Sequence, residues 1–209
     1  MVIIGSYAIN NSMSDGYGTL IYCVTLLSLD PEVHLQKQRK GEISCIMKID
    51  PEKCSNCGTC QPYCTVGAIV ESKKREVREV IEDECVECGV CLRADVCPTD
   101  AIFQQELAWP RIVRQEFSNP LIRHPSTDIG GRGTEEMKTN DVTNRFQAGF
   151  AGIGLEFGRP GVATRFSDVQ TMAQALAPMG VQFETQNPVT ALMIDKSKGL
   201  LKPEVLNEG

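Results

Sequence analysis

The sequence predicts an α+β chain, in which a compact cysteine-rich module of short strands and turns is followed by a small β-α-β domain. Three observations carry this. Eight of the ten cysteines fall in two similar quartets between positions 54 and 97. Short β-branched runs flank a polar turn between the quartets. After residue 144 a strand-period segment leads into a helix-period segment and a second strand-like run.

Composition narrows the class. With 209 residues, 42% hydrophobic and 23% charged, the chain is neither disordered nor membranous. A net charge of −6 argues against a nucleic-acid partner, which calls for a basic face. No Lys or Arg precedes Lys37, so the charged region of a secretory leader is missing. The longest apolar run, residues 20–29, is about half of the ~20 residues that span a bilayer. The expectation is a cytoplasmic metalloprotein or redox protein without a membrane span.

The first quartet is Cys54, Cys57, Cys60 and Cys64; the second is Cys85, Cys88, Cys91 and Cys97. Both open with C-x-x-C-x-x-C, and the offset is 31 residues for the first cysteine and 33 for the last. Both close similarly, with Cys64-Thr65-Val66-Gly67-Ala68-Ile69 matching Cys97-Pro98-Thr99-Asp100-Ala101-Ile102. Three thiolates at this spacing can bend around one compact iron–sulfur cluster, and a remote fourth closes the cage. Gly58 and Gly89 follow the second cysteine of each triplet, where the backbone must turn tightly. Structural zinc is weighed and disfavoured, because it pairs two C-x-x-C units across a wide gap and has no place for the third cysteine. Disulfides are disfavoured by the absent leader. Cys23, in an apolar run, reads as a buried thiol, and Cys45 matches no ligand spacing.

Residues 47–103, opening "MKIDPEKCSNCGTC", resemble a bacterial two-cluster ferredoxin. The resemblance implies two [4Fe–4S] clusters with crossed ligation: Cys54, Cys57, Cys60 and Cys97 for cluster I, and Cys85, Cys88, Cys91 and Cys64 for cluster II. The sequence departs from the family twice. Thr65 stands where the family usually has proline, and the gap between Cys91 and Cys97 is longer than usual.

Four regions are expected: an N-terminal extension (1–46), the two-cluster domain (47–105), a connector (106–144) and a small α+β domain (145–209). The extension carries no motif, and Met47 is an alternative start. In the module, Ala68, Ile69 and Val70 and residues 77–81 read as strand pieces around "ESKKRE". Residues 47–105 hold 7 basic and 11 acidic residues, an acidic surface suited to solvent or to a basic redox partner. In the connector only "RIVRQEF" suggests a strand, and residues 130–133 (GGRG) read as a turn rather than a phosphate loop. Beyond it, Ala151, Ile153, Leu155 and Phe157 alternate as a strand. Ser167 or Asp168 caps a helix carrying Val169, Met172, Ala173 and Leu176, and "VQFET" forms a second strand.

The segment "LEFGRPGVATRFSDVQTMAQALAPMGVQFE" resembles the first half of an ACT-type or ferredoxin-like α+β domain. It lacks the second helix and strand of a four-stranded sheet, so truncation or completion by a partner is expected. "GRGTEEMKTNDVTNRF", "GRPGVATRFSDV" and "NPVT", behind a two-cluster module, look similar to 6-hydroxynicotinate reductase, a ferredoxin-dependent enzyme of anaerobic nicotinate breakdown.

The functional expectation is a relay of single low-potential electrons to or within an oxidoreductase, with a redox partner protein or oxidoreductase subunit. The alternative is a ferredoxin-dependent reductase or reductase subunit acting on a small organic acid. An electron-transfer module is favoured over a self-contained enzyme. No catalytic residue is assigned, and His34 and His124 read as surface imidazoles.

Overall fold

The computed structural model describes residues 2–8, 23–25, 46–125, 128, 150–158, 162–185 and 187–209. Cys45, His34, the turn at 130–133 and the whole of "GRGTEEMKTNDVTNRF" lie outside the described residues. Two compact units are present, one centred on residues 46–119 and one formed by the N-terminal strands with most of the described residues beyond 119.

The first unit is built on two antiparallel strand pairs. β3 (Met47–Ile49) pairs with β6 (Ile102–Gln104), and β4 (Ile69–Glu71) pairs with β5 (Arg78–Val80). The two pairs repeat one another in the backbone bonds that lead from each into its cysteine triplet. Asp50 N–H donates to Ala101 O at 2.8 Å and Ile81 N–H to Ala68 O at 2.8 Å. Cys54 N–H then donates to Asp50 O at 3.0 Å, and Cys85 N–H to Ile81 O at 3.1 Å. Met47, Ile69, Ile102, Cys60 and Cys91 form the buried core, with Ile49, Val80 and Val96 packed on it.

The spacers before the fourth cysteines differ. A 3-10 turn, Gln61–Tyr63, fills the short one; an α-helical turn, α1 (Val90–Arg93), fills the long one. Asp95, at φ 50°, ends that turn in the left-handed region and absorbs the extra length.

The segment "RIVRQEF" is not a strand but a helix, α2 (Ile112–Ser118). Its β-branched Ile112 and Val113 suggested extended structure, yet Val113 and Arg114 are both buried on one side of the helix. The anchoring of Arg111 and Arg114, described below, overrides the weak strand propensity.

In the second unit, β7 (Phe150–Glu156), helix α3 (Phe166–Leu176) and β8 (Gln182–Phe183) follow the expected strand–helix–strand order. Two strands from residues 1–46, at positions 2–8 and 23–25, join them in one sheet. β1 (Val2–Ala8) lies between β7 and β8, antiparallel to both, and β2 (Cys23–Thr25) runs parallel to β7 on its other side. The four-stranded sheet is thus filled from the N-terminal segment, and its edges are the short strands β2 and β8, a form that discourages further pairing.

Helix α3 is capped at Arg165 rather than at Ser167 or Asp168. Asp168 stands three residues inside and accepts the Arg165 N–H at 3.3 Å. Val169 and Ala173 are fully buried, and Gly180 at φ 75° closes the turn that follows. A short helix, α4 (Pro188–Ala191), and a hairpin of β9 (Met193–Asp195) with β10 (Leu200–Leu201) complete the unit. Leu201 N–H donates to Gln170 Oε1 at 2.9 Å and ties that hairpin to α3. His124 is buried, not a surface imidazole, and burial lowers its pKa below the usual histidine value. Among the described residues no helix is long and apolar enough to cross a membrane.

Candidate iron–sulfur site

The third residue of each triplet motif adopts left-handed backbone, Asn56 at φ 56° and Glu87 at φ 55°. The glycine after the middle cysteine does the same, Gly58 at φ 76° and Gly89 at φ 68°. Two left-handed residues around one cysteine curl the loop inward, which an uninterrupted helix or strand could not do. The fourth cysteines are shaped by a matching pair, Gly67 at φ 72° and Asp100 at φ 51°. These let the chain fold back so that Ala68 N–H donates to Cys64 Sγ at 3.0 Å and Ala101 N–H to Cys97 Sγ at 3.2 Å.

The loops enclose two cavities. Cys54, Cys57, Cys60 and Cys97 line the first, together with Ile49, Arg78, Thr99 and Ile102. Cys85, Cys88, Cys91 and Cys64 line the second, with Met47, Tyr63, Val66, Val80 and Val86. Each triplet is therefore brought together with the fourth cysteine of the other quartet. All eight cysteines are free thiols. Among the described residues no three Cys, His, Asp or Glu side chains converge on a single-ion point; the thiol sets stand around the cavities instead.

The thiol environments differ. The Thr59 hydroxyl, 3.3 Å from Cys57 Sγ, is the main reason that the exposed Cys57 lies below the usual thiol pKa. At Cys97 burial pulls upward, but the Ala101 N–H and the Thr99 hydroxyl outweigh it and the pKa falls. Burial raises Cys60. Burial, with Glu87 second, pushes Cys85 up to about 12, and burial, with Cys88 second, pushes Cys91 up to about 11. Such thiols would ionise against a positive centre, the role that bound iron would fill here. Thr65, in place of the family's proline, puts its hydroxyl 3.6 Å from Cys88 Sγ, on the same cavity as Cys64.

Sequence reasoning missed a buried clamp. Glu87 is 0% exposed and accepts from Met47 N–H at 3.1 Å, Gln104 Nε2 at 3.2 Å, Arg111 Nε at 3.1 Å and Arg111 Nη2 at 2.8 Å. Arg111 also donates to Glu82 O at 2.6 Å, and Arg114 donates to Asp83 O at 2.8 Å and Cys85 O at 2.9 Å. Helix α2 thus holds the loop that enters the second triplet. The available signal was the pair Arg111 and Arg114, three residues apart and so on one helix face.

The cavities fit iron–sulfur clusters by their donor chemistry: four thiols each, with backbone N–H groups donating to Cys54, Cys64 and Cys97 Sγ. Comparison with known proteins agrees. The 4Fe-4S dicluster domain family matches residues 46–98. Two ferredoxin-1 sequences of Rhodobacter capsulatus are each 48% identical to this chain over 42 residues, 20% of the chain. The chain covers 62% of the length of these relatives. Residues 46–98 are a bacterial-type ferredoxin segment of the 4Fe-4S dicluster kind.

Proposed function

We propose that the chain carries single low-potential electrons on two [4Fe–4S] clusters, as a ferredoxin-type relay serving a redox partner protein. Cys54, Cys57, Cys60 and Cys97 hold one cluster, and Cys85, Cys88, Cys91 and Cys64 the other. The observation that carries this is the sharing of each cavity by one triplet and the opposite quartet's last cysteine. When bound, each cluster supplies a one-electron couple that needs little rearrangement.

The chain's own residues do the rest. Eight thiolates satisfy every iron, so no open coordination position is left for substrate. The N–H groups of Arg78, Ala68 and Ala101 donate to thiolate sulfur and so favour the more negative, reduced state. The Glu87–Arg111 pair fixes the loop of the second triplet. The acidic balance of residues 47–105 suits a basic docking face on the partner. The matched relatives are ferredoxins and give the small-acid reductase reading no support.

Anaerobic reconstitution with iron and sulfide tests the proposal. Roughly eight iron atoms and as much acid-labile sulfide per chain are expected, four for each cluster, with a brown chromophore bleached by one-electron reductants. A colourless, zinc-loaded protein without sulfide would sink the reading.

A further inference from the structure

The 31-residue offset relates Met47 to Arg78, and here the two halves part company. Arg78 N–H donates to Cys54 Sγ at 3.3 Å, whereas Met47 N–H is taken by the Glu87 carboxylate at 3.1 Å. The side chains diverge too, since Arg78 lines the first cavity and Met47 the second. The Arg78 guanidinium meets Gln61 Oε1 at 3.2 Å and the Glu71 carboxylate at 3.8 Å, and its side chain is only 16% exposed. Its Nε is buried and, among the described residues, has no hydrogen-bond partner. A guanidinium N–H left unpaired beside a cavity is costly unless the cavity's occupant accepts it. No comparable cation among the described residues lines the second cavity. Arg111 is spent on Glu87 at 2.8 Å, Arg114 on the carbonyls of Asp83 and Cys85, and the exposed Arg93 on Cys88 O at 3.0 Å and Asn119 Oδ1 at 3.1 Å.

We infer that Arg78 donates its Nε–H to sulfur of the cluster held by Cys54, Cys57, Cys60 and Cys97, making that cavity the preferred seat of the first electron. The inference rests on the two-cluster reading above. Reduction adds one negative charge, which a donor and a cation at short range stabilise more than they stabilise the oxidised state. The electron comes from an external one-electron donor; no bond breaks and no proton moves. The second cavity, bordered by Met47 and Val80, fills at lower potential. Cys57, exposed at the first cavity, places the preferred seat next to solvent, where a partner can take the electron.

The test is an EPR-monitored redox titration of the full reconstituted chain, with dithionite as reductant and iron counted beforehand. Wild type should hold roughly eight iron atoms and give two separated midpoints. A chain with one cluster overturns the two-cluster reading and the inference with it, and two coincident midpoints overturn the inference alone. Arg78→Gln should disfavour reduction at the higher midpoint by roughly tenfold, about 59 mV for one electron, leaving the lower midpoint in place. Arg78→Lys should fall between that variant and wild type. Glu71→Gln, at a side chain 61% exposed and outside the cavity, should move the higher midpoint upward by a smaller step. This variant decides the matter if Arg78→Gln fails to retain its cluster. Midpoints that stay put, or that shift together, would refute the role of Arg78 while the iron count leaves two clusters standing.

Discussion

In the first half of the cysteine repeat the left-handed residue of the triplet is Asn56, half-buried and donating its Nδ2 to Glu71 Oε1 at 3.3 Å. In the second half it is Glu87, fully buried and gripped by Arg111, Gln104 and the Met47 N–H. The backbones of the two halves nevertheless agree in the left-handed residues around their middle cysteines, in the N–H to sulfur bonds of their fourth cysteines and in the registers of their strand pairs. The spacing of cysteines and left-handed residues therefore sets the shape of each loop, while the residues between them set its surroundings. One half stays open and polar beside Arg78; the other is closed by a charged clamp from α2.

The largest test breaks the partnership between the halves. Cys97→Ala should cost the cluster of the Cys54 triplet, although Cys97 belongs to the other quartet. Iron should fall from roughly eight toward four per chain. In alkylation mapped by mass spectrometry, Cys54, Cys57 and Cys60 should become reactive while Cys85, Cys88 and Cys91 remain protected. Cys64→Ala should give the mirror result. Protection lost in the same quartet as the mutation would show that ligation is not crossed.

Next in size is the clamp. Glu87→Ala leaves a buried guanidinium, an amide and a backbone N–H without their acceptor, so stability in a urea titration should fall by about 3–5 kcal/mol. Glu87→Gln keeps one acceptor oxygen and should lose less. Asn56→Ala, at the equivalent place in the open half, should cost under about 1 kcal/mol. Equal losses at positions 56 and 87 would mean that burial does not distinguish the halves.

The smallest effect lies after the fourth cysteines. Gly67 and Asp100 share a left-handed conformation, and nothing stands within 4 Å of a Cβ added at Gly67. Gly67→Ala should therefore cost about 1 kcal/mol through backbone conformation alone. Gly67→Asp should cost less, because Asp tolerates that region, as Asp100 already does. A shift in urea midpoint measures both, and an Asp variant worse than Ala would deny the equivalence of the two positions.

Local pattern made part of this legible. The eight cysteines were found by spacing alone, as were the strand pieces around residues 69–71 and 78–80 and the apolar stripe of α3, because each signal lies within a few residues of itself. Other features depended on distant partners. Nothing within residues 2–8 indicates that they pair with residues 150–156. The Ile112–Val113 pair suggested a strand until two arginines beside it found carbonyls some thirty residues upstream. Nothing in the residues around Glu87 marks it off from the other acids of its stretch, since its partners are Met47, Gln104 and Arg111. His124 was misjudged for the same reason: a polar, proline-rich neighbourhood does not reveal burial.

The pairing of β3 with β6 reaches beyond the cysteines. Met47 faces Gln104 across that ladder, so the chain enters and leaves the ferredoxin segment at adjacent points, roughly 5 Å apart by the geometry of antiparallel pairs. A domain whose ends meet can be spliced into a host without prying the host's own ends apart. The host here is visible in the order of its strands: β1 and β2 precede the segment, β7 and β8 follow it, and the four share one sheet. The ferredoxin segment is a cassette carried inside another fold's sequence, and removing it would rejoin that fold's two pieces rather than cut a tail from either.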